Sequence, residues 1–385
     1  MKKVVINKKA SNSLKEFFPW VYKSDIKSYE DVKKGEIVRV EDEEGRFLAV
    51  GYINLDSIIS LRVLSFNDEK IDKSFFVKRI EKALDDRIDI NSNAFRIIHS
   101  EADEIPGLIV DKFDEYLSVM FNSAGIISLK DDILRAIEEV LNPKGVFVSA
   151  DFNSLKKEKV DFKEIKIGEI PKFVEIEENG VKFLIDIENG QKTGFYLDQR
   201  RNRNILSKYM KQKDRVLDLF CNSGGFGLYG AKQKNAQVKL VDISENALNL
   251  AKENFKINGV EGDFIEANVF DYLRELRAKK EKFDMVIIDP PSFAKKKNQR
   301  IGALRGFKDL IVNGMKLVED GGYMAIFSCS YYIDLKDLKE LLKKASKDNK
   351  KRVKIIEHLY QDIDHPYILN NPFSLYLKGL LVKIA

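Results

Sequence analysis

The sequence predicts an α/β protein: a doubly wound parallel sheet in the C-terminal part, preceded by a small β-barrel and an α+β segment. Three observations carry this. From about residue 205 onward, short apolar runs alternate with helical segments, as buried parallel strands do when helices cover both faces of a sheet. The first seventy residues instead read as short strands broken by turns. Between these parts lie two amphipathic helices separated by strand-like runs. At 385 residues the chain exceeds a typical single core, and the expected domains are 1–70, 71–187 and 188–385.

Taken in order, Val38 and Val40 alternate with charged residues, Glu43-Glu44-Gly45 makes a turn, and "RFLAVGYI" and "SIISLRVLS" follow as strands. Phe76, Ile80, Ala83 and Leu84 recur at helical spacing and predict a helix over 72–88. Residues 95–123 read as a hairpin. Ile133, Ala136, Ile137 and Val140 predict a second helix over 128–141, with further strands to about 187. The alternation then begins: "DRVLDLF" and a Gly-rich turn lead into a helix, "QVKLVDI" precedes "SENALNLAKENFKING", and "DFIEANVF" precedes "DYLRELRAKK". "FDMVIIDPP" precedes a helix around 303–318, "GGYMAIFSCS" precedes "DLKDLKELLKKAS", and "RVKIIEHLY" and "FSLYLKGLLVKI" close the chain. There is no internal repeat and no low-complexity linker.

The composition, 44% hydrophobic and 33% charged, is that of an ordinary folded protein. Two cysteines, at 221 and 329, exclude a disulfide framework and suit a reducing cytosol. The opening "MKKVVINKKA" lacks the apolar centre of a signal peptide, and no run approaches the ~18 apolar residues of a membrane span. A cytoplasmic protein without membrane association is expected. His99, His358 and His365 are scattered without metal-ligand spacing, so no metal is expected. The net charge of +5 is mild but concentrated. Residues 1–40 hold ten Lys/Arg against five Asp/Glu, and Lys295, Lys296, Lys297, Arg300 and Arg305 form a second cluster. Such clusters are ordinarily solvated surface; two of them, one beside a candidate site, point to a polyanionic partner such as RNA.

The chemistry gathers at the strand ends. "VLDLFCNSGGFG" (216–227) joins the first strand of the alternation to a helix through a Gly-rich turn, the usual ligand edge of an open α/β sheet. Its spacing is not G-x-G-x-x-G, and Asp218 lies just before the glycines. A pyrophosphate wants a helix N-terminus free of negative charge. A carboxylate there suits a cationic amino-acid ligand such as S-adenosylmethionine; a nicotinamide cofactor, or a plain turn with capping acids, is the competing reading. Asp242 at the second strand tip can accept bonds from both ribose hydroxyls. Asn268 at the third can read an adenine amino group, or simply cap the following helix. Phe220, Ser223, Gly224, Gly225, Ile243 and Val269 flank these positions and complete the expected cofactor site. The fourth strand ends in Asp289-Pro290-Pro291-Ser292-Phe293, where the prolines stop the ladder and hold Asp289 in a rigid loop.

Cys329, in "AIFSCSYY", ends the fifth strand on that same edge. A free cysteine is more often a small buried hydrophobe than a nucleophile. Here the neighbours change the balance, because a thiolate is a strong nucleophile and no histidine nearby suggests hydrolase chemistry. The matching reaction is methylation of a pyrimidine ring carbon. A thiolate adds to carbon 6 of cytosine, Asp289 near ring nitrogen 3 stabilises the developing charge, and carbon 5 becomes able to take a methyl group.

Together "GQKTGFYLDQRRNR" (190–203), "VLDLFCNSGGFG", "VDISENALNLAKENFKING" (241–259), "DMVIIDPPSFAKKK" (284–297), "SCS" (328–330), "DHP" (364–366) and "LYLKGL" (375–380) resemble the bacterial 23S ribosomal RNA large-subunit methyltransferase I family over the whole chain. The resemblance implies a PUA-type RNA-binding barrel, a central α+β domain and a class I, Rossmann-like methyltransferase domain with a seven-stranded sheet. It also implies S-adenosylmethionine as cofactor and 5-methylcytosine in 23S rRNA as product. By position it implies Cys329 as nucleophile, Asp289 as its partner, and cofactor contacts from Asp218, Gly224, Asp242 and Asn268. Phe195, Tyr196, Gln199 and Arg200 would cover the cofactor. On the strength of the basic clusters, Pro290, Pro291, Lys295, Lys296, Lys297 and Arg300 are expected to face RNA. Two departures stand out: Cys221-Asn222-Ser223 where the family usually has Ser-Tyr-Thr, and Asn268 where it usually has Asp.

Two alternatives stay open. Asp-Pro-Pro followed by an aromatic also marks methylation of an exocyclic amine, although "DPPSF" delays the aromatic by one residue. A non-catalytic RNA-binding or ribosome-assembly factor on the same fold is the other. An exposed barrel edge could also pair two copies into a homodimer.

Overall fold

Strand Ile37–Glu41 turns Val38 and Val40 fully inward while Ile37 and Arg39 stay half-buried, the alternation that its sequence period requires. The protein is represented by a computed structural model that describes residues 1–385 apart from Gln191 and Lys295. It divides into two units: Met1–Ile176 with Ile185–Leu197 and Ile363–Ser374, and Glu177–Leu184 with Asp198–Asp362 and Leu375–Ala385. Among the described residues no helix is long and apolar enough to cross a membrane.

The first unit holds two sheets. One has six strands, in the order Trp20–Tyr22, Ile59–Ser65, Phe47–Ile53, Ile37–Glu41, Lys2–Ile6, Ile26–Tyr29. A helix, Lys8–Lys15, interrupts the strands-and-turns pattern expected there. It buries only Ala10, Ser11 and Leu14, too little apolar content for a periodic signal, and its visible cue is Asn7, whose side chain accepts from the Ala10 N–H. The second sheet has five strands, in the order Ile165–Gly168, Gly145–Ala150, Tyr116–Phe121, Leu108–Phe113, Ala94–His99. The stretch read as one hairpin is therefore three strands, because Ala94–His99 also pairs antiparallel with Leu108–Phe113. The predicted helices are Lys73–Asp85, capped by Asp72, and Lys130–Leu141; their inward residues include Phe76, Ile80, Ile133 and Ile137. A short helix at Phe152–Glu158 was not expected.

This unit also brings together two of the scattered histidines. The His99 and His365 rings lie 5.1 Å apart, and the Asp364 carboxylate accepts the Arg96 backbone N–H while contacting His365 Nδ1. Burial, reinforced by the Arg96 guanidinium, holds the His99 pKa well below its usual value, so the ring is neutral. Among the described residues no cluster of three metal-ligating side chains occurs, and this network ties Ile363–Ser374 into its unit.

The second unit is built on seven strands: β1 (Arg215–Leu219), β2 (Gln237–Asp242), β3 (Asp263–Glu266), β4 (Phe283–Ile288), β5 (Val318–Ser328), β6 (Val353–Tyr360) and β7 (Lys378–Ile384). Their order is β3-β2-β1-β4-β5-β7-β6, parallel except for β7. Helices α1 (Arg200–Tyr209), α2 (Gly225–Lys234), α3 (Glu245–Ile257), α4 (Val269–Ala278), α5 (Arg300–Leu317) and α6 (Leu335–Asn349) complete it. Val216–Leu219 of β1 and Met285–Ile288 of β4 are buried throughout, which is why β4 reads as an unbroken apolar run and β1 as one broken only by Asp218. Each such Leu or Ile contributes about 1.5–3 kcal/mol by burial. The order of connection reverses between β1 and β4, so the ligand crevice of such a sheet opens at their carboxyl ends.

Candidate active site

The β1–α2 turn coils through three left-handed residues: Phe220 (φ 60°), Asn222 (φ 48°) and Gly224 (φ 82°). Asparagine and glycine tolerate that region; a phenylalanine there is an outlier of the kind that collects at functional sites. Gly224 is required twice over, because a Cβ would also meet Leu240 Cδ2 at 3.1 Å and Ala251 Cβ at 3.2 Å. Asp242, at the tip of β2, holds the turn: its carboxylate accepts the Asn222 and Ser244 backbone N–H groups, each at 2.9 Å. Ser223 is buried, whereas Ile243 is 70% exposed and offers an apolar face beside Asp242.

Asp218 is buried within β1. Its Oδ2 accepts the Gly227 N–H at 2.8 Å, and its Oδ1 has no hydrogen-bond partner in the protein. Burial raises its pKa to about 7, against the pull of Gly227, with Asp289 and Asp242 adding repulsion. An unpartnered buried carboxylate oxygen, costly in an otherwise satisfied core, is where a cationic ligand gains most.

Asp289 follows β4 directly. Its Oδ2 accepts from the Gln199 side-chain amide at 2.9 Å. Pro290 is buried and Pro291 exposed. The ladder pairs Ile288 with Ile326, so the ends of β4 and β5 emerge side by side. The two serines of "SCS" lock that arrangement. Ser330 Oγ donates to the Ala294 carbonyl at 2.8 Å, tying the strand end to the loop after Asp289, and Ser328 Oγ reaches the Ile333 carbonyl at 3.4 Å. Both serines are buried while Cys329 between them stays half-exposed. Cys221 contrasts with it: burial, then Asp218 and Asp242, push that thiol well above its ordinary pKa and keep it inert.

Residues 4–66 match the PUA-like domain family, and residues 159–329 match the family described as S-adenosylmethionine-dependent methyltransferase. Ribosomal RNA large subunit methyltransferase I of Vibrio cholerae serotype O1 is 38% identical, covering 99% of each chain. The chain belongs to the ribosomal RNA large subunit methyltransferase I family. The protein of the same name from Photobacterium profundum is also 38% identical, over 98% of both chains. The crystal structure of SMU.776 complexed with SAH has the same fold, with a TM-score of 0.86 at 21% identity over the full length of both chains.

The enzyme is thus an S-adenosylmethionine-dependent methyltransferase, and its own residues fit that cofactor. Asp218 supplies an anionic acceptor with an unused oxygen, Asp242 a carboxylate at the strand tip, and Ile243 an apolar face. Asn268 is seen in its capping role, its Oδ1 accepting the Phe270 N–H at 2.9 Å, and Val269 is buried as the first residue of α4. Phe195 and Tyr196 belong to the first unit, Phe195 buried and Tyr196 under the Lys192 ammonium. Arg200 is buried in an ion pair with Asp362 at 2.8 Å. Lys296 and Lys297 are exposed, and Lys295 lies outside the described residues. The Arg300 guanidinium donates to the Tyr332 carbonyl and to Asp337, joining the starts of α5 and α6.

Two features escaped the sequence reading. Lys378 pairs with Ser328 across β5–β7 and is buried, its Nζ donating to the Tyr376 carbonyl at 3.0 Å. Burial lowers its pKa, against the pull of Cys329 and Asp334. The motif "LYLKGL" was its only trace. Asn202, fully buried behind Gln199, is the other.

Proposed function

We propose that this enzyme methylates carbon 5 of a cytosine in large-subunit ribosomal RNA through a transient Cys329 adduct. The observation that carries the reading is the pair of adjoining strand ends, with half-exposed Cys329 between buried serines and Asp289 on the neighbouring strand. The Cys329 thiolate forms an S–C6 bond, and Asp289 hands a proton to ring nitrogen 3 as the ring gains electron density. S-adenosylmethionine, when bound, supplies an electrophilic methyl group to carbon 5. Loss of the carbon-5 proton to a base then expels the thiolate, ring nitrogen 3 returns its proton to Asp289, and the aromatic ring is restored. Lys378 couples electrostatically to Cys329, and a cation in that position favours the ionised sulfur.

One observation favours carbon over exocyclic nitrogen. In the amine pattern the aromatic after Asp-Pro-Pro is available to the base. Here Phe293 packs against Phe307 at 5.3 Å, Phe270 at 6.2 Å and Phe220 at 6.5 Å. Mass spectrometry of ribosomal RNA from cells lacking the protein tests the reading. It expects the loss of one 5-methylcytosine; loss of a methylated adenine or guanine instead would overturn it.

RNA is the partner we assign to the two basic clusters, on a protein acting in the cytoplasm and divided at about 70 and 187. Replacing exposed Lys296 and Lys297 with glutamine should weaken RNA binding and reduce its log–log salt slope by about 1–2. An unchanged slope in a filter-binding titration would exclude this loop from the RNA contact.

A further inference from the structure

Gln199 stands at the junction of the Leu197–Gln199 turn and α1, almost fully buried. Its amide is held from both ends. Asn202, one turn on, donates from Nδ2 to Gln199 Oε1 at 2.6 Å and to the Tyr360 carbonyl at 2.9 Å. The backbone carbonyl can only accept, so the Asn202 amide has one permitted orientation. That in turn fixes Gln199, because flipping its amide would set NH₂ against NH₂. The Gln199 NH₂ is therefore directed at Asp289 Oδ2, 2.9 Å away. The support is rigid: Arg200 pairs with Asp362, and Arg203 makes a two-point contact with Glu178 at 2.5 and 2.8 Å, all four side chains buried.

We infer that Gln199 is a positioning residue that, oriented by Asn202, decides which oxygen of Asp289 holds the catalytic proton. This rests on the cytosine reading above and assigns Gln199 to the substrate acid as well as, or instead of, the cofactor. A donor fixed on Oδ2 makes that oxygen the carbonyl-like one in the neutral acid, so the proton resides on Oδ1. From Oδ1 it can be delivered to a ring nitrogen without rotation of the carboxyl group. The same donor stabilises the ionised form once the proton has left. Asp218 on β1 couples to Asp289, and its repulsion acts in the opposite direction.

The test compares wild type with Gln199→Met, which keeps length but removes the donor, and Asn202→Asp, which removes the donor that orients Gln199. Three quantities are read: the pH profile of kcat, exchange of the cytosine carbon-5 hydrogen for deuterium in RNA without S-adenosylmethionine, and calorimetric Kd for S-adenosylmethionine. Both variants should lose about 10–100-fold in kcat and in exchange rate, the range of a lost supporting contact. The limb of the profile that reports Asp289 should move to higher pH, with Kd changed less than about twofold. A wild-type pH profile in Gln199→Met, or a loss of cofactor affinity matching the loss of rate, would overturn the inference. The reading beneath it fails separately: absence of carbon-5 exchange in the wild type would sink the Cys329 chemistry, while the pH profile would still decide the role of Gln199.

Discussion

Cys329→Ala should reduce methyl transfer to RNA by at least about 10³-fold, the scale on which removal of a covalent nucleophile acts. Kd for S-adenosylmethionine should stay within about twofold, because the thiol is half-exposed between serines that keep their own hydrogen bonds to Ala294 and Ile333. Stability should change by less than about 1 kcal/mol for the same reason. Transfer of labelled methyl groups, with calorimetry alongside, makes the measurement. Wild-type enzyme should also form a stable protein–RNA adduct on a substrate carrying 5-fluorocytosine, since fluorine cannot leave as a proton does; Cys329→Ala should not. An active Cys329→Ala enzyme would end the nucleophile assignment and return attention to amine methylation.

Asp218→Asn should separate stability from binding. The carboxyl pKa is about 7 in the folded protein against an ordinary 3.8, chiefly through burial. A raised acid favours the folded state most when it is protonated in both states, below about pH 4. That contribution is lost as pH climbs toward 7 and stays lost above it. An asparagine keeps an acceptor for the Gly227 N–H and carries no charge to desolvate. The variant should therefore melt higher than wild type at pH 8, by up to ~4 kcal/mol in stability, with the advantage vanishing near pH 4. Kd for S-adenosylmethionine should meanwhile rise about 10–100-fold, as a charge-assisted hydrogen bond is worth about 1.5–3 kcal/mol. In wild type, calorimetry in buffers of different ionisation enthalpy at pH 6.5 should detect proton release on cofactor binding. A variant that binds normally, or that is less stable at pH 8, would refute this account of Asp218.

The parts legible in the sequence were those whose signals are local. The apolar stretches of β1, β4 and β5 announced a buried parallel sheet because Val216–Leu219, Met285–Ile288 and Met324–Ser328 are buried throughout. Asp-Pro-Pro announced a stop, and the glycines a tight turn, because backbone chemistry is written in one or two residues. What stayed hidden were elements with sparse apolar content, such as the helix at Lys8–Lys15, and a third strand concealed behind a hairpin reading.

The deeper division lies in the site. By itself the sequence determined which groups reach the ligand edge: an acid before the glycines, an acid at the next strand tip, Asp289 and Cys329, each at the end of a strand whose direction the alternation sets. Only the tertiary structure decided their chemical state. Gln199 meets Asp289 across ninety residues, Asn202 meets Tyr360 across 158, and Lys378 comes beside Ser328 only because β7 runs antiparallel to β5. Proton affinity depends on desolvation and on the few charges within reach, and those are set by which distant segments pack together. Hence two cysteines of one type differ: Cys221, sealed behind acids, is inert, while Cys329, half-exposed between two bonded serines and coupled to a buried lysine, is the one we propose as nucleophile.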